Sequence, residues 1–291
     1  MLQLLLINQE SRAMKLFYIL LISLVACGSD LSAGNLSLLK SKENPFKKNG
    51  TSHSILSDGN GPHFAIKLNL TQLILPGISM QAEYAFHKKM SIGLGASILP
   101  QREFPTNLYN LNDNPYASNF SSPVFEGKSI TPEFRFYPFG REGHSAPNGF
   151  YIAAYLRYSH YIAHQTVSYH DMSSSGAPTY SANATHDYAG TTGGLMIGKQ
   201  WIIAKYLTID WWIIGGGVGR AKYTYSWQVD GVSLTPDQQA FVKQQATENF
   251  KSVSIFGSTP SVETTSNSVL MSAMLPMYSV RFMGLCIGFA F

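Results

Sequence analysis

The chain has 291 residues, of which 45% are hydrophobic, 13% aromatic and only 13% charged, with a formal net charge of +4 and a mean hydropathy of -0.02. Soluble domains carry about 25% Asp, Glu, Lys and Arg, so roughly half the usual charge is present in a chain that is not greasy. Past the N-terminal segment there is no apolar run of the roughly 18 residues that a membrane helix needs, which excludes an all-helical membrane protein, and the aromatic content argues against disorder. What survives is a β protein whose strands turn an apolar face to lipid.

Residues 1–33 read as a signal peptide. Lys15 and the apolar stretch from Leu16 to Ala26 form a basic n-region and an h-region of 11 residues, too short to span a bilayer. Met14 opens this unit and is an alternative start, because the preceding "MLQLLLINQESRA" carries an acid and polar residues foreign to signals. Cleavage after Ala33 fits "DLSA" followed by "GN", while "LVAC" ending at Cys27 also resembles a bacterial lipobox, in which the thiol would be acylated. Cleavage at Ala33 would leave Cys286 alone, so no intramolecular disulfide is expected. Residues 34–62 lack periodicity and read as a flexible periplasmic linker, with Lys40, Lys42, Lys47 and Lys48 as a solvated basic leader.

From His63 onward the pattern is alternation with a period of two, the mark of a strand. In "HFAIKLNLTQL" Phe64, Ile66, Leu68 and Leu70 share one face and Lys67, Asn69 and Thr71 the other. The second strand sets Ile78, Met80, Ala82, Tyr84 and Phe86 against Ser79, Gln81 and Glu83, and the third sets Ile92, Leu94, Ala96 and Ile98 against Ser91, Gly93 and Ser97. Further strands are expected over 129–139, 150–169, 186–203, 207–227 and 277–291. Between 207 and 227 simple alternation places Asp210 and Arg220 on one face and Ile209, Trp211 and Ile213 on the other, with Tyr223, Tyr225 and Trp227 in an external aromatic girdle. Trp201 and Tyr206 would serve at the periplasmic side.

The connections alternate as well. "HKKM", "GREGHSAPN" and "AKY" are short, whereas the links after the third, fifth and seventh strands are long, as expected of periplasmic turns and external loops in an outer-membrane barrel. A soluble lipocalin-like barrel would put its charges outside. Here the apolar residues share one face, and Lys67, Glu83, Glu133, Arg135, Arg157, Asp210 and Arg220 share the opposite one, which suits lipid outside and a charged lumen. The expected fold is therefore all-β, an eight-stranded antiparallel up-and-down transmembrane β-barrel over residues 63–291.

The final strand, "SVRFMGLCIGFAF", turns Met283, Leu285, Ile287, Phe289 and Phe291 one way and Gly284, Cys286, Gly288 and Ala290 the other. Its aromatic end resembles the C-terminal signal of outer-membrane proteins, in which Phe289 and Phe291 would be read by the barrel assembly machinery. "GISMQAEYAF", "ITPEFRFYPFG", "GFYIAAYLRYSHY" and "GGLMIGKQWIIAKYLTIDWWIIGGGVG" resemble a family of small bacterial outer-membrane β-barrels described as a domain of unknown function, more distantly similar to OmpA/OmpX-type barrels. That resemblance covers nearly all of 63–291 and implies fold and location, with no assigned reaction.

The inward charges read as a structural ion network, because an eight-stranded barrel is filled by its own side chains and charges with little water must be paired. His160 and His164 lie four residues apart on a strand, which separates them by about 13 Å, too far to share one metal. Ser159 and His160 loosely resemble the nucleophile and base of outer-membrane lipid A deacylases in reversed order, but strand neighbours point to opposite faces. "GGGVGR" at Gly215 to Arg220 lacks a phosphate-loop ending and reads as small residues that let strands pack closely. Thr235, Pro236 and Gln238 form a capping-box start, which predicts a short helix in the last long loop. No cofactor, metal or nucleic-acid partner is expected and no enzymatic activity is assigned, the rival reading being a lipid-modifying enzyme. The expected partners are outer-membrane lipid, the assembly machinery and a surface ligand or protein met by the external loops.

Overall fold

The computed structural model describes residues 62–74, 77–103, 117–139, 146–170, 179–230, 233–251 and 260–291. The signal-peptide and lipobox expectations, and almost all of the linker, lie outside these residues. The strands are β1 Phe64–Asn69, β2 Ile78–His87, β3 Met90–Glu103, β4 Ala117–Phe120, β5 Val124–Phe136, β6 Gly149–His170, β7 Thr179–Ile203, β8 Leu207–Asp230, β9 Ser261–Thr264 and β10 Ser268–Ala290. Eight of them form an antiparallel ring in the order β1-β2-β3-β5-β6-β7-β8-β10, closed by β1 on β10, while β4 pairs β6 and β9 pairs β10 above it.

Closure is in register from Ala65↔Ala290 to Asn69↔Cys286. The two ends are tied further by Phe64 N donating to Phe291 O at 2.9 Å and Phe291 N to Phe64 O at 2.8 Å, with their rings 5.2 Å apart. The expected all-β barrel of eight antiparallel strands is thus present, filled by side chains and turned inside out relative to a soluble protein. Ile66, Met80, Ile92, Leu94 and Phe134 are exposed on its outside, whereas Lys67, Glu83 and Arg135 are buried within.

The wall is uneven. β1 has 6 residues and β2 has 10, against 22, 25, 24 and 23 in β6, β7, β8 and β10. Alternation carries the first strand through Leu70 and Thr71, but Leu70–Ile74 is a helical turn, α1. Asn69 stops the strand: its side-chain Oδ1 accepts from Gln72 N at 3.2 Å, an N-cap that replaces the next ladder bond. The second helix, α2 Pro236–Lys251, starts where the capping box placed it, with Thr235 N donating to Gln238 Oε1 at 2.9 Å and Gln238 N to Thr235 Oγ1 at 3.4 Å.

Two facing irregularities change the phase of the wall. Between β7 and β8 the register passes from Gly198↔Trp212 to Ile197↔Ile214, leaving Ile213 as an extra residue. Across the seam with β10, Gly284↔Trp212 is followed by Phe282↔Ile214, and Met283, opposite Ile213, has φ of 48°. An extra residue reverses which alternate side chains face inward. Arg220 therefore lies exposed on the exterior and not in the lumen, and Tyr223, Tyr225 and Trp227 are buried inside the barrel and form no external girdle. Gly217 makes room across this packed interior, since a Cβ there would sit 2.7 Å from the Tyr155 hydroxyl, which is hydrogen-bonded to Ser279 Oγ at 2.7 Å.

Candidate functional site

Alternation delivers one or two polar side chains from seven of the eight wall strands, all but β10, to a common level near the turn end. Lys67 of β1 donates through Nζ to Glu83 Oε2 at 2.6 Å, Asp210 Oδ2 at 2.7 Å and Gln200 Oε1 at 3.0 Å. Arg135 of β5 reaches across the lumen: Nη1 donates to Asp210 Oδ2 at 2.8 Å and Glu83 Oε2 at 3.2 Å, and Nη2 to Glu133 Oε2 at 2.8 Å and Gln81 Oε1 at 3.0 Å. The remaining carboxylate lone pairs are used too. Ser91 Oγ and the Tyr137 hydroxyl donate to Glu83 Oε1 at 2.5 and 2.7 Å, and the Tyr151 hydroxyl to Asp210 Oδ1 at 2.7 Å.

Such a cluster is stable only when each charge is both paired and hydrogen-bonded, because desolvation costs several kcal/mol per ion. Here that condition is met, with the Arg135 guanidinium also stacked 4.3 Å from the Tyr151 ring centroid. The arrangement holds charge in place and crosses the lumen as a plug. Among the described residues no group of three or more His, Cys, Asp or Glu could hold a metal ion.

Of the residues singled out in the sequence, Lys67, Glu83, Glu133, Arg135 and Asp210 meet in this network. Arg220 is outside. Arg157 faces inward one level higher and enters no hydrogen bond or ion pair with the described residues, its buried Nε lacking an acceptor. Arg281 was missed. It donates through Nη1 to Glu133 Oε1 at 2.7 Å and lies 4.4 Å from the Tyr155 ring and 4.9 Å from the Trp212 ring. Plain alternation gives Arg281 the lipid-facing parity of Leu285, and Met283 is what turns it inward. A signal was visible in "WWII" and "RFMG", where consecutive large apolar residues break the period of two.

The Ser159 hydroxyl is buried on β6 with no hydrogen-bond partner among the described residues, whereas His160 points outward, its Nε2 3.1 Å from Asp187 Oδ1. They form no nucleophile and base pair. His164 pairs with Thr185 Oγ1 at 3.1 Å. Phe289 and Phe291 are exposed on the outside of the last strand, at the turn end.

Fold and site together define a closed eight-stranded β-barrel with an apolar exterior and a charged, side-chain-filled interior. By sequence, no family model and no curated protein matches the chain. Among solved structures it is similar to CarO2 of Acinetobacter baumannii, at 14% identity and a TM-score of 0.36 over 79% of this chain and 98% of that one. It is also similar to CarO of Acinetobacter baumannii, at 11% identity and a TM-score of 0.32 over 80% of this chain and 98% of that one.

Proposed function

We propose that the chain is an integral protein of a bacterial outer membrane, with its linker in the periplasm, and that it acts without an open pore as a structural or surface-interaction protein. The observation that carries this reading is the inversion of faces. Met80, Ile92, Leu94, Phe134, Leu156 and Ile287 stand exposed around the wall, a contiguous apolar surface that water would penalise and a bilayer requires. The charge network across the lumen supports the absence of a pore, as eight strands leave room for side chains and little else.

The loops support the interaction role. A membrane strand needs about 9–11 residues, so β6, β7, β8 and β10 run well past the bilayer and hold α2 and β9 on a rigid stalk, the usual arrangement for loops that bind. Phe289 and Phe291, exposed at the chain end, fit recognition by the assembly machinery. The separation of Ser159 and His160 onto opposite faces leaves the lipid-modifying reading without a catalytic pair. Fractionation of cells and gel migration with and without boiling test the proposal: the protein should follow the outer membrane and shift on heating. A soluble periplasmic product with no heat shift would overturn it.

A further inference from the structure

Above the ion network lies a cavity of about 130 Å³ whose lining is mixed in an informative way. Arg157, Trp212 and Arg281 belong to the lumen, yet Val280 and Phe282 belong to the outer face of β10. A space bounded by both faces crosses the wall. The reason is the short first strand: β1 pairs β10 only up to Asn69↔Cys286, and beyond it the neighbour of β10 is α1, attached through Leu285 N donating to Thr71 Oγ1 at 2.9 Å. Phe282 is nine residues from the chain end, which at about 3.3 Å per residue and a tilt of about 40° places it roughly 23 Å above the periplasmic rim. An apolar band is about 25 Å tall, so the gap opens in the outer leaflet where acyl chains meet headgroups.

The interior of this gap wants an anion. Among the described residues the lumen holds four cations, Lys67, Arg135, Arg157 and Arg281, against three carboxylates, Glu83, Glu133 and Asp210; Glu126 and Lys128 at the edge of the cavity add one charge of each sign, and Arg157 is the cation left without a partner. Three buried N–H groups on side chains lining the cavity, Arg157 Nε, Trp212 Nε1 and Arg281 Nε, find no acceptor among the described residues. Arg157 is half-buried, open to this space, and its unpaired charge beside unmet buried donors favours an anionic group here.

We propose that this cavity receives the anionic headgroup of a membrane amphiphile, which enters sideways from the outer leaflet between α1 and β10. The headgroup sits on Arg157, and the acyl chain leaves past Val280 and Phe282 into the bilayer. A free anion from solution would satisfy the same donors but would make no use of the apolar mouth. The inference rests on the outer-membrane reading above.

The test uses the full-length protein reconstituted in phosphatidylcholine vesicles containing a minority of phosphatidic acid, with retained lipid counted by native mass spectrometry. Wild type should retain phosphatidic acid in preference to phosphatidylcholine. Arg157→Met should lower that retention about tenfold, the usual effect of losing a charge-assisted hydrogen bond, and Trp212→Phe, which keeps the ring and removes only the N–H, about threefold. An excess of inorganic phosphate should not displace the lipid. Equal retention by wild type and both variants, or displacement by inorganic phosphate, would overturn the lipid site while leaving the barrel in the membrane. Failure to insert, seen as full extraction by carbonate with no heat shift, would overturn the outer-membrane reading together with it.

Discussion

The lower and upper halves of the lumen are built from the same strands and treat charge differently. Below the level of Ile213 and Met283, Lys67 and Arg135 are enclosed by Glu83, Glu133 and Asp210, and each carboxylate is bonded on both oxygens. Above it, Arg281 is held on one side by Glu133 and Arg157 by no acidic group among the described residues. The lower half also has a complete wall, whereas the upper half has α1 in place of a strand beside β10. Completeness of wall and completeness of pairing go together in this barrel: below, every charge is matched, and above, where α1 stands in place of a strand, Arg157 is not matched among the described residues.

The contrast can be broken most severely at Arg135. Arg135→Met leaves three buried carboxylates short of a partner and should destabilise the refolded barrel by about 3–5 kcal/mol, read from urea unfolding followed by heat-modifiable migration. Arg281→Met should cost less, about 1.5–3 kcal/mol, because Glu133 keeps Arg135 and loses a single charge-assisted hydrogen bond. Thr235→Ala should remove about 1 kcal/mol from α2 alone, seen as faster amide exchange at the start of that helix with unchanged exchange in β6–β8. Arg157→Met should have the smallest effect, about zero or slightly stabilising, since no carboxylate is stranded by its removal. A loss at Arg157 as large as that at Arg135 would erase the distinction between the halves.

The fold was legible because a period of two survives single exceptions. The strand count, the short turns at one end and the capping box of α2 all follow from local chemistry that the tertiary structure does not override. Six of the seven inward charges were likewise readable from parity, since Lys67, Glu83, Glu133, Arg135, Arg157 and Asp210 all lie in stretches that no bulge interrupts. Arg220 was assigned to the wrong face and Arg281 was missed for one shared reason. A bulge is a single residue whose presence depends on the opposing strand, and Ile213 and Met283 face one another across the β8 and β10 seam. Arg157 was placed correctly in the lumen, but its lack of a partner depends on which level the other strands bring their acids to, and that register is not written in any one segment. The early end of β1 was hidden as well, because Leu70 continues the alternation while Asn69 caps the helix that interrupts it.

A lumen filled by its own side chains should be sealed while the barrel is in a bilayer, and ion conduction reports on that seal. Purified protein would be inserted into planar bilayers, with insertion verified by heat-modifiable migration of the same preparation, and current recorded under applied voltage. The network joining Lys67, Glu83, Arg135, Glu133 and Asp210 across the interior predicts no stepwise conductance from the wild-type protein. Discrete, ohmic single-channel steps from inserted wild-type barrels would contradict it.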